Sequence, residues 1–323
     1  MIPVVLGWMA LMSPPTTAHA AVTVPLSRPL RLLVPYVPGG GTDTVARLIA
    51  PALAEAVGQQ VVVDNRPGGS STIATQLVAR AAPDGQTIGI SDAAFVTNPS
   101  LFDKLPYDTL RDLVSIAIVS SGSMLLVVHP TLPVKSVKDL ITLAKSQPGK
   151  LTYGTAGNGT ATHLAGEQLR WVAQIDIQHI PYKGAGQSIT ELLGGHISMA
   201  FTSPSTAKAH VAGGRLRALA VTSAKRNAAI PDVLTFTEAG YGKVDTQTLT
   251  PLYAPAGISA KFIAGLNAAV MRATGAGELR ERFQSLGYDT ETNTPAEAAA
   301  RVKTEIEKWR SIIKSSGARA HGV

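Results

Sequence analysis

Short apolar runs bounded by glycine and proline alternate with stretches of helical period along most of the chain. Residues 30–37 form the first apolar run, and Pro38-Gly39-Gly40-Gly41-Thr42-Asp43 follows it. Over residues 43–57, Val45, Leu48, Ile49, Ala52 and Leu53 fall near one face of a helix. The pattern predicts strand, tight loop and helix, with Pro51 bending or interrupting the helix and Gly58 ending it. Residues 60–64 then read as a β-branched strand, and Asn65-Arg66-Pro67-Gly68-Gly69-Ser70-Ser71 opens a second helix over 72–81. Two such units in succession predict a parallel sheet whose loops gather at one edge.

Farther along, residues 87–91 read as a strand, and 98–108, with Pro99 and Pro106, as an excursion over the surface. Strands are predicted at 116–119 and 124–128 on either side of Ser120-Ser121-Gly122-Ser123, and the first passage between two lobes is placed there. Ser136 and Asp139 have capping-box-like spacing at the start of a helix over 136–146. After a strand at 151–153, Gly154-Thr155-Ala156-Gly157-Asn158-Gly159-Thr160-Ala161-Thr162-His163 repeats the grammar of the first loop and opens a helix toward Trp171. The next expected elements are strand 177–181, helix 187–193 after Lys183-Gly184-Ala185-Gly186, strand 197–201, helix 207–212 and strand 216–221. Residues 246–253 should return to the first lobe, and helices 259–272, 278–286 and 295–314 complete it. Thr294 followed by Pro295 gives the last of these a cap and a first-turn proline.

The two glycine-bordered helix starts are the candidate chemistry. Consecutive glycines let a backbone approach a guest closely, and the first amides of a helix have no internal partners. An anion is their natural guest. The loop at 38–43 has no lysine and no Gly-Lys-Ser/Thr ending, and its glycines do not fit G-x-G-x-x-G, so nucleotide cradles of either kind are disfavoured.

Composition narrows the class. The chain has 323 residues, 45% hydrophobic and 16% charged, which is enough for two packed cores and unlike a disordered chain. A formal charge of +7 comes without any dense basic block interleaved with aromatics, which argues against nucleic acid and permits an acidic small ligand. There is no cysteine, so disulfides, thiol nucleophiles and cysteine metal sites are excluded. Residues 2–12 are apolar and Ala18-His19-Ala20 is a small-x-small cleavage pattern, so residues 1–20 are read as an export signal, although the usual basic residue at its start is missing. Maturation is expected near Ala21, giving a soluble, periplasmic protein.

At residues 33–47 the order Leu-Val-Pro-Tyr-Val-Pro-Gly-Gly-Gly-Thr-Asp-Thr-Val-Ala-Arg resembles the opening signature of the Bug/TctC family, extracytoplasmic solute receptors of tripartite tricarboxylate transporters. The resemblance continues through Asp64-Asn65-Arg66-Pro67-Gly68, Pro83-Asp84-Gly85, Leu105-Pro106-Tyr107-Asp108, Tyr153-Gly154, Ile180-Pro181-Tyr182-Lys183-Gly184, Leu192-Leu193-Gly194-Gly195 and Ala254-Pro255-Ala256-Gly257, in order and over essentially the whole mature chain. It implies an α/β, two-lobed periplasmic-binding-protein-like (type II) fold with an interlobe cleft, residues 21–123 and 245–323 forming one lobe and 124–244 the other. It also implies a small carboxylate or dicarboxylate ligand, held largely by backbone amides, hydroxyls and waters, and membrane transporter subunits as partners. Carried onto this chain, the site comprises Pro38, Gly39, Gly40, Gly41, Thr42 and Asp43 from lobe one, and Thr155, Gly157, Gly159, Thr160 and His163 from lobe two. Ser70 and Ser203 are added as cleft-edge hydroxyls. Asp43 is expected to cap the helix or orient amides rather than touch an anion.

Two departures stand out: Ser70 and Ser71 occupy positions that the family often fills with glycine, and Ser198 stands where an acidic residue is common. Two roles stay open for His163, ligand or water contact and a structural hydrogen bond within lobe two. Arg66 is equally open between the cleft and its own loop, while a structural role is favoured for Lys183. His179, His196 and His210 have no metal-ligand spacing, so neither metal nor other cofactor is expected. Ser70, Ser71, Ser203 and Ser205 raise a serine hydrolase as an alternative, but none lies in a G-x-S-x-G elbow and no catalytic residue is assigned. A periplasmic sensing partner is the other alternative.

Overall fold

The computed structural model describes residues 24–39, 41–182, 184–275 and 277–316; the segment read as an export signal, Gly40 and Lys183 lie outside them. In chain order the elements are β1 (Leu30–Val34), α1 (Gly41–Val57), β2 (Val61–Asn65), a 3-10 turn (Gly69–Ser71), α2 (Thr72–Ala79), β3 (Thr87–Ile90), α3 (Ala94–Leu101), β4 (Leu113–Ser123) and β5 (Leu125–Val128). Next come α4 (Val137–Ser146), β6 (Thr152–Thr155), α5 (Ala161–Ala173), β7 (Gln178–Pro181), α6 (Ala185–Leu193), β8 (Met199–Thr202), α7 (Pro204–Ala212) and β9 (Arg217–Val221). The last group is β10 (Gln247–Pro255), α8 (Ala260–Gly275), α9 (Gly277–Ser285), β11 (Asp289–Thr290) and α10 (Pro295–Ser316).

Two sheets organise these elements, with strand orders β11-β4-β10-β3-β1-β2 and β7-β6-β8-β5-β9. This is the two-lobed α/β architecture that the sequence resemblance implies. In the first sheet β1 runs parallel to both β2 and β3, so the loops after these strands share one edge, while β10 is antiparallel to β3 and β4. In the second, β6 is parallel to β7 and β8. The chain leaves the first sheet after Ser123 and returns to it at Gln247. At these two passages the Thr222 hydroxyl accepts from the Met124 amide at 2.8 Å and donates to the Thr246 carbonyl, tying both connections together. Each lobe carries an apolar core between sheet and helices, one built on Leu30, Leu32 and Ile49 and the other on Leu126, Tyr153 and Phe201. Leu164 of α5 packs with Trp309 and Phe95 of the first lobe, so the lobes also touch through side chains.

Local signals decided many boundaries. Thr294 and Glu297 form a reciprocal cap, the Glu297 amide donating to Thr294 Oγ1 at 3.2 Å and the Thr294 amide to Glu297 Oε2 at 2.7 Å. Ser136 accepts from the Asp139 amide as its spacing predicts. Three expectations need correction. The helix α1 continues past Pro51 to Val57 without a break. Ser120-Ser121-Gly122-Ser123 belongs to β4 instead of separating two strands, because pairing with β10 keeps the run extended and buries the serines, Ser120 Oγ donating to Thr250 Oγ1 at 3.0 Å. Residues 94–101 form a helix where a surface excursion was expected from 98 onward. Nearly all of α3 is buried, so no polar face marked its period, and Pro99 disguised it further.

Candidate functional site

A cleft of about 480 Å³ lies between the two sheets, lined by both lobes and by the passages that join them. The first lobe supplies Tyr36, Val37, Gly39, Gly41, Thr42 and Thr44 from the loop after β1 and the first turn of α1. It adds Asp92 from the end of β3, Thr248, Leu249 and Thr250 from β10, and Leu286 and Tyr288 from the segment after α9. The second lobe supplies Ala156, Thr160, Ala161 and Thr162 at the start of α5, Gly184 and Ala185 at the start of α6, and Ser203 and Thr206 at the start of α7. Four helices thus open toward one cavity, where their N-terminal amides favour negative charge. No lysine, arginine or histidine is among the described lining residues.

The first-lobe loop is shaped by a carboxylate. Asp43 is buried and accepts from the Gly39 amide at 2.9 Å, from Arg47 at 2.9 and 3.0 Å, and from Asn65 Nδ2 at 2.9 Å. Asn65 also donates to the Tyr36 carbonyl at 2.9 Å, so both ends of the loop are tied to one group. Burial opposes the charge of Asp43, but the bonds from Arg47, Gly39 and Asn65 outweigh it and hold the carboxyl below its ordinary range. Gly41 is needed for close approach: a Cβ there would sit 2.3 Å from the Tyr288 hydroxyl across the cleft wall.

The second-lobe loop is shaped by neutral groups. Gly157 and Gly159 hold φ of 128° and 75°, open to glycine and strained for other residues. Thr160 caps α5, its Oγ1 accepting from the His163 amide at 3.5 Å while donating to the Gly157 carbonyl at 2.7 Å. His163 Nδ1 accepts from the Gly159 amide at 3.1 Å, and its ring stacks on His179 at 4.1 Å. His179 Nε2 meets Thr155 Oγ1 at 2.7 Å. Burial lowers both histidines, His179 to about 3 with help from His163 and Arg170, so both rings are neutral near pH 7.

The thirteen sequence-selected positions therefore fall into groups. Gly39, Gly41, Thr42, Thr160 and Ser203 line the shared cleft. Pro38 is exposed beside it, while Asp43, Thr155, Gly157, Gly159 and His163 lie behind the lining and shape the two loops. Ser70 is exposed on the 3-10 turn away from the lining, its carbonyl accepting from Asn98 Nδ2 at 2.7 Å, and Gly40 lies outside the described residues. Ser70 and Ser71 both adopt positive φ, 49° and 72°, the backbone that glycine would take without strain. Ser198 lies just before β8, accepting from the Thr152 amide at 3.2 Å, and is not part of the lining. Arg66 pairs with Asp64 at 2.8 Å on the outside of its loop.

Several lining residues escaped the sequence reading. Gly184 and Ala185 repeat the glycine-bordered helix start and were legible by that rule. Asp92 follows the third strand of the parallel set and was signalled only by that position. Tyr288 and the β10 residues arrive from distant sequence and had no local signal. Asp92 Oδ1 accepts from the Tyr36 hydroxyl at 2.8 Å and the Ala94 amide at 2.9 Å.

Comparisons with known proteins agree with this architecture. Residues 45–318 match the family model described as "Tripartite tricarboxylate transporter family receptor". The chain is 34% identical over 312 residues to Protein BugT of Bordetella pertussis, covering 94% of this chain and 95% of that one. Among solved structures, R. palustris Rpa4515 with adipate aligns with a TM-score of 0.81 at 32% identity, covering 90% of this chain and 98% of the other. MatC from Rhodopseudomonas palustris with bound malate aligns with a TM-score of 0.78 at 30% identity, covering 89% and 99%. With its two lobes, its cleft and a family match across most of its length, the chain belongs to the tripartite tricarboxylate transporter receptor family, as a periplasmic solute-binding protein.

Proposed function

We propose that this receptor captures a small carboxylate-bearing solute in the interlobe cleft and presents the closed, loaded form to the membrane subunits of its transporter. The observation that carries the reading is the convergence of the first turns of α1, α5, α6 and α7 on one cavity whose described lining has hydroxyls but no basic side chain. Charge-assisted hydrogen bonds from such donors contribute about 1.5 to 3 kcal/mol each, and bridging waters cost about 0 to 2 kcal/mol, so neutral groups suffice to hold an anion. Gly39, Gly41, Thr42, Thr160 and Ser203 are the proposed contacts, with Asp43 and His163 holding their loops in place. Adipate and malate in the two related structures support a carboxylate here. Donors from both lobes around one group favour the closed form, because only closure satisfies all of them.

Mass spectrometry of small molecules released from the purified protein, followed by calorimetric titration of the hit, tests the reading. The matching variant is Ala185→Trp, which fills the cleft from the start of α6. It should abolish binding while leaving thermal unfolding near that of the unmodified protein. Undiminished affinity in that variant would place the ligand elsewhere.

A further inference from the structure

We propose that Asp92 sets the specificity of this cleft, selecting a carboxylate that also carries an ammonium group over a plain dicarboxylate. The inference rests on the carboxylate reading above and narrows it. Among the described lining residues Asp92 is the single carboxylate, and no described ion pair includes it. The cleft therefore has two chemically opposite parts: helix starts and hydroxyls that donate, and one side chain that accepts. A zwitterionic solute complements both at once. A second carboxylate brought beside Asp92 would repel it, and one of the two would have to take up a proton.

Both hydrogen bonds to Asp92 use Oδ1, from the Tyr36 hydroxyl and the Ala94 amide, and no described bond uses Oδ2. Two neutral donors reduce the cost of a half-buried carboxylate without neutralising it. Burial raises its carboxyl above the ordinary range in spite of these bonds, the behaviour of an acid that lacks a cation. An ammonium group at hydrogen-bond distance supplies that cation. The alternative role for Asp92 is local, starting α3 through the Ala94 amide and holding Tyr36. Asparagine performs both of those tasks, since its carbonyl oxygen accepts as Oδ1 does and it is an equally good residue at a helix start. Asp92→Asn therefore removes the charge and keeps the scaffold.

The test is calorimetry on the full protein with matched probes, 5-aminopentanoate against glutarate and L-aspartate against succinate. In the unmodified protein the amino member of each pair should bind at least about tenfold tighter. In Asp92→Asn that preference should vanish, with the dicarboxylates binding as well as before or better. Equal or tighter binding of the dicarboxylates to the unmodified protein overturns the inference and leaves the carboxylate reading standing. A preference for the amines that survives in Asp92→Asn overturns the role of Asp92. Failure of all four probes, and of other small carboxylates, to bind the unmodified protein would instead defeat the reading on which the inference rests. The ratios in the unmodified protein test the preference by themselves, and if Asp92→Asn is poorly folded the same four titrations on Asp92→Ser, which keeps a short acceptor at the helix start, test the role of Asp92.

Discussion

The loop after β1 and the loop after β6 have the same local grammar, strand, glycines, threonine and helix, yet they are held in place by different physics. In the first lobe one buried anion, Asp43, gathers the Gly39 amide, Asn65 and Arg47. In the second, neutral imidazoles and hydroxyls do the same work: His163 takes the Gly159 amide, His179 meets Thr155, and Thr160 closes the helix start. Behind them Glu167 accepts from the Tyr153 hydroxyl at 2.5 Å and from Arg170 at 2.9 and 3.0 Å, so charge is present but one layer farther from the cleft. One lobe bonds its loop directly to a negative charge, and the other holds its charge behind the histidines, with Glu167 Oε1 4.0 Å from His163 Nε2. A helix start can be aimed at a ligand either way, but the two arrangements answer differently to mutation and to pH.

The largest effect should come from removing the anion. Asp43→Ala leaves the Gly39 amide without its acceptor and Asn65 with the Tyr36 carbonyl alone, and a lost bond to a charged group costs about 1.5 to 3 kcal/mol. Urea unfolding should show a loss of that size, accompanied by weakened ligand binding; an unchanged midpoint would mean that the Asp43 network does not hold the first loop. Next, Gly159→Ala forces a residue with a side chain into φ 75° and sets its Cβ 2.8 Å from Leu101 Cδ1. The left-handed backbone alone costs about 1 to 2 kcal/mol. Thermal unfolding should therefore fall together with affinity, so this glycine serves the fold as well as the ligand.

A smaller and graded difference is expected with pH. His163 and His179 have folded values below the ordinary histidine value of about 6.5, so the folded state resists protonation and their contribution is present above that pH. It declines as the pH falls from about 6.5 toward the lower folded values, about 3 for His179. Asp43, also lowered, keeps its contribution down to about pH 3.9, the ordinary aspartate value, and loses it below that, through its folded value. Between about pH 6 and 4, hydrogen exchange of the Gly159 amide, corrected for its intrinsic rate, should quicken while that of Gly39 holds steady. The reverse order would overturn the contrast between the loops. The smallest effect belongs to Arg47→Lys. The variant keeps a positive charge beside the buried Asp43 but loses the two-pronged bond, so thermal unfolding should fall slightly, and the loss should persist at high salt because a bond to a buried carboxylate is screened little.

The sequence by itself determined the strand-glycine-helix units, the caps at Ser136 and Thr294, and the two loops that the cleft shares, because each depends on residues within a few positions of one another. It also predicted that Asp43 would shape its loop, since a carboxylate repels an anion beside it, and Asp43 lies behind the lining, bonded to the Gly39 amide. It did not reveal α3, whose burial on nearly every side erased the period that marks a helix, or the true course of β4, where pairing with β10 overrode a run of turn-forming residues. The placement of His163 behind the loop, and of Asp92, Thr250 and Tyr288 on the same wall, was decided by the tertiary structure alone. These groups come from segments far apart in the chain, and only the pairing of β10, β3 and β1 in one sheet, with the second lobe packed beside it, sets their distances. Local pattern fixes which amides are free to donate; the packing of distant strands fixes what they face.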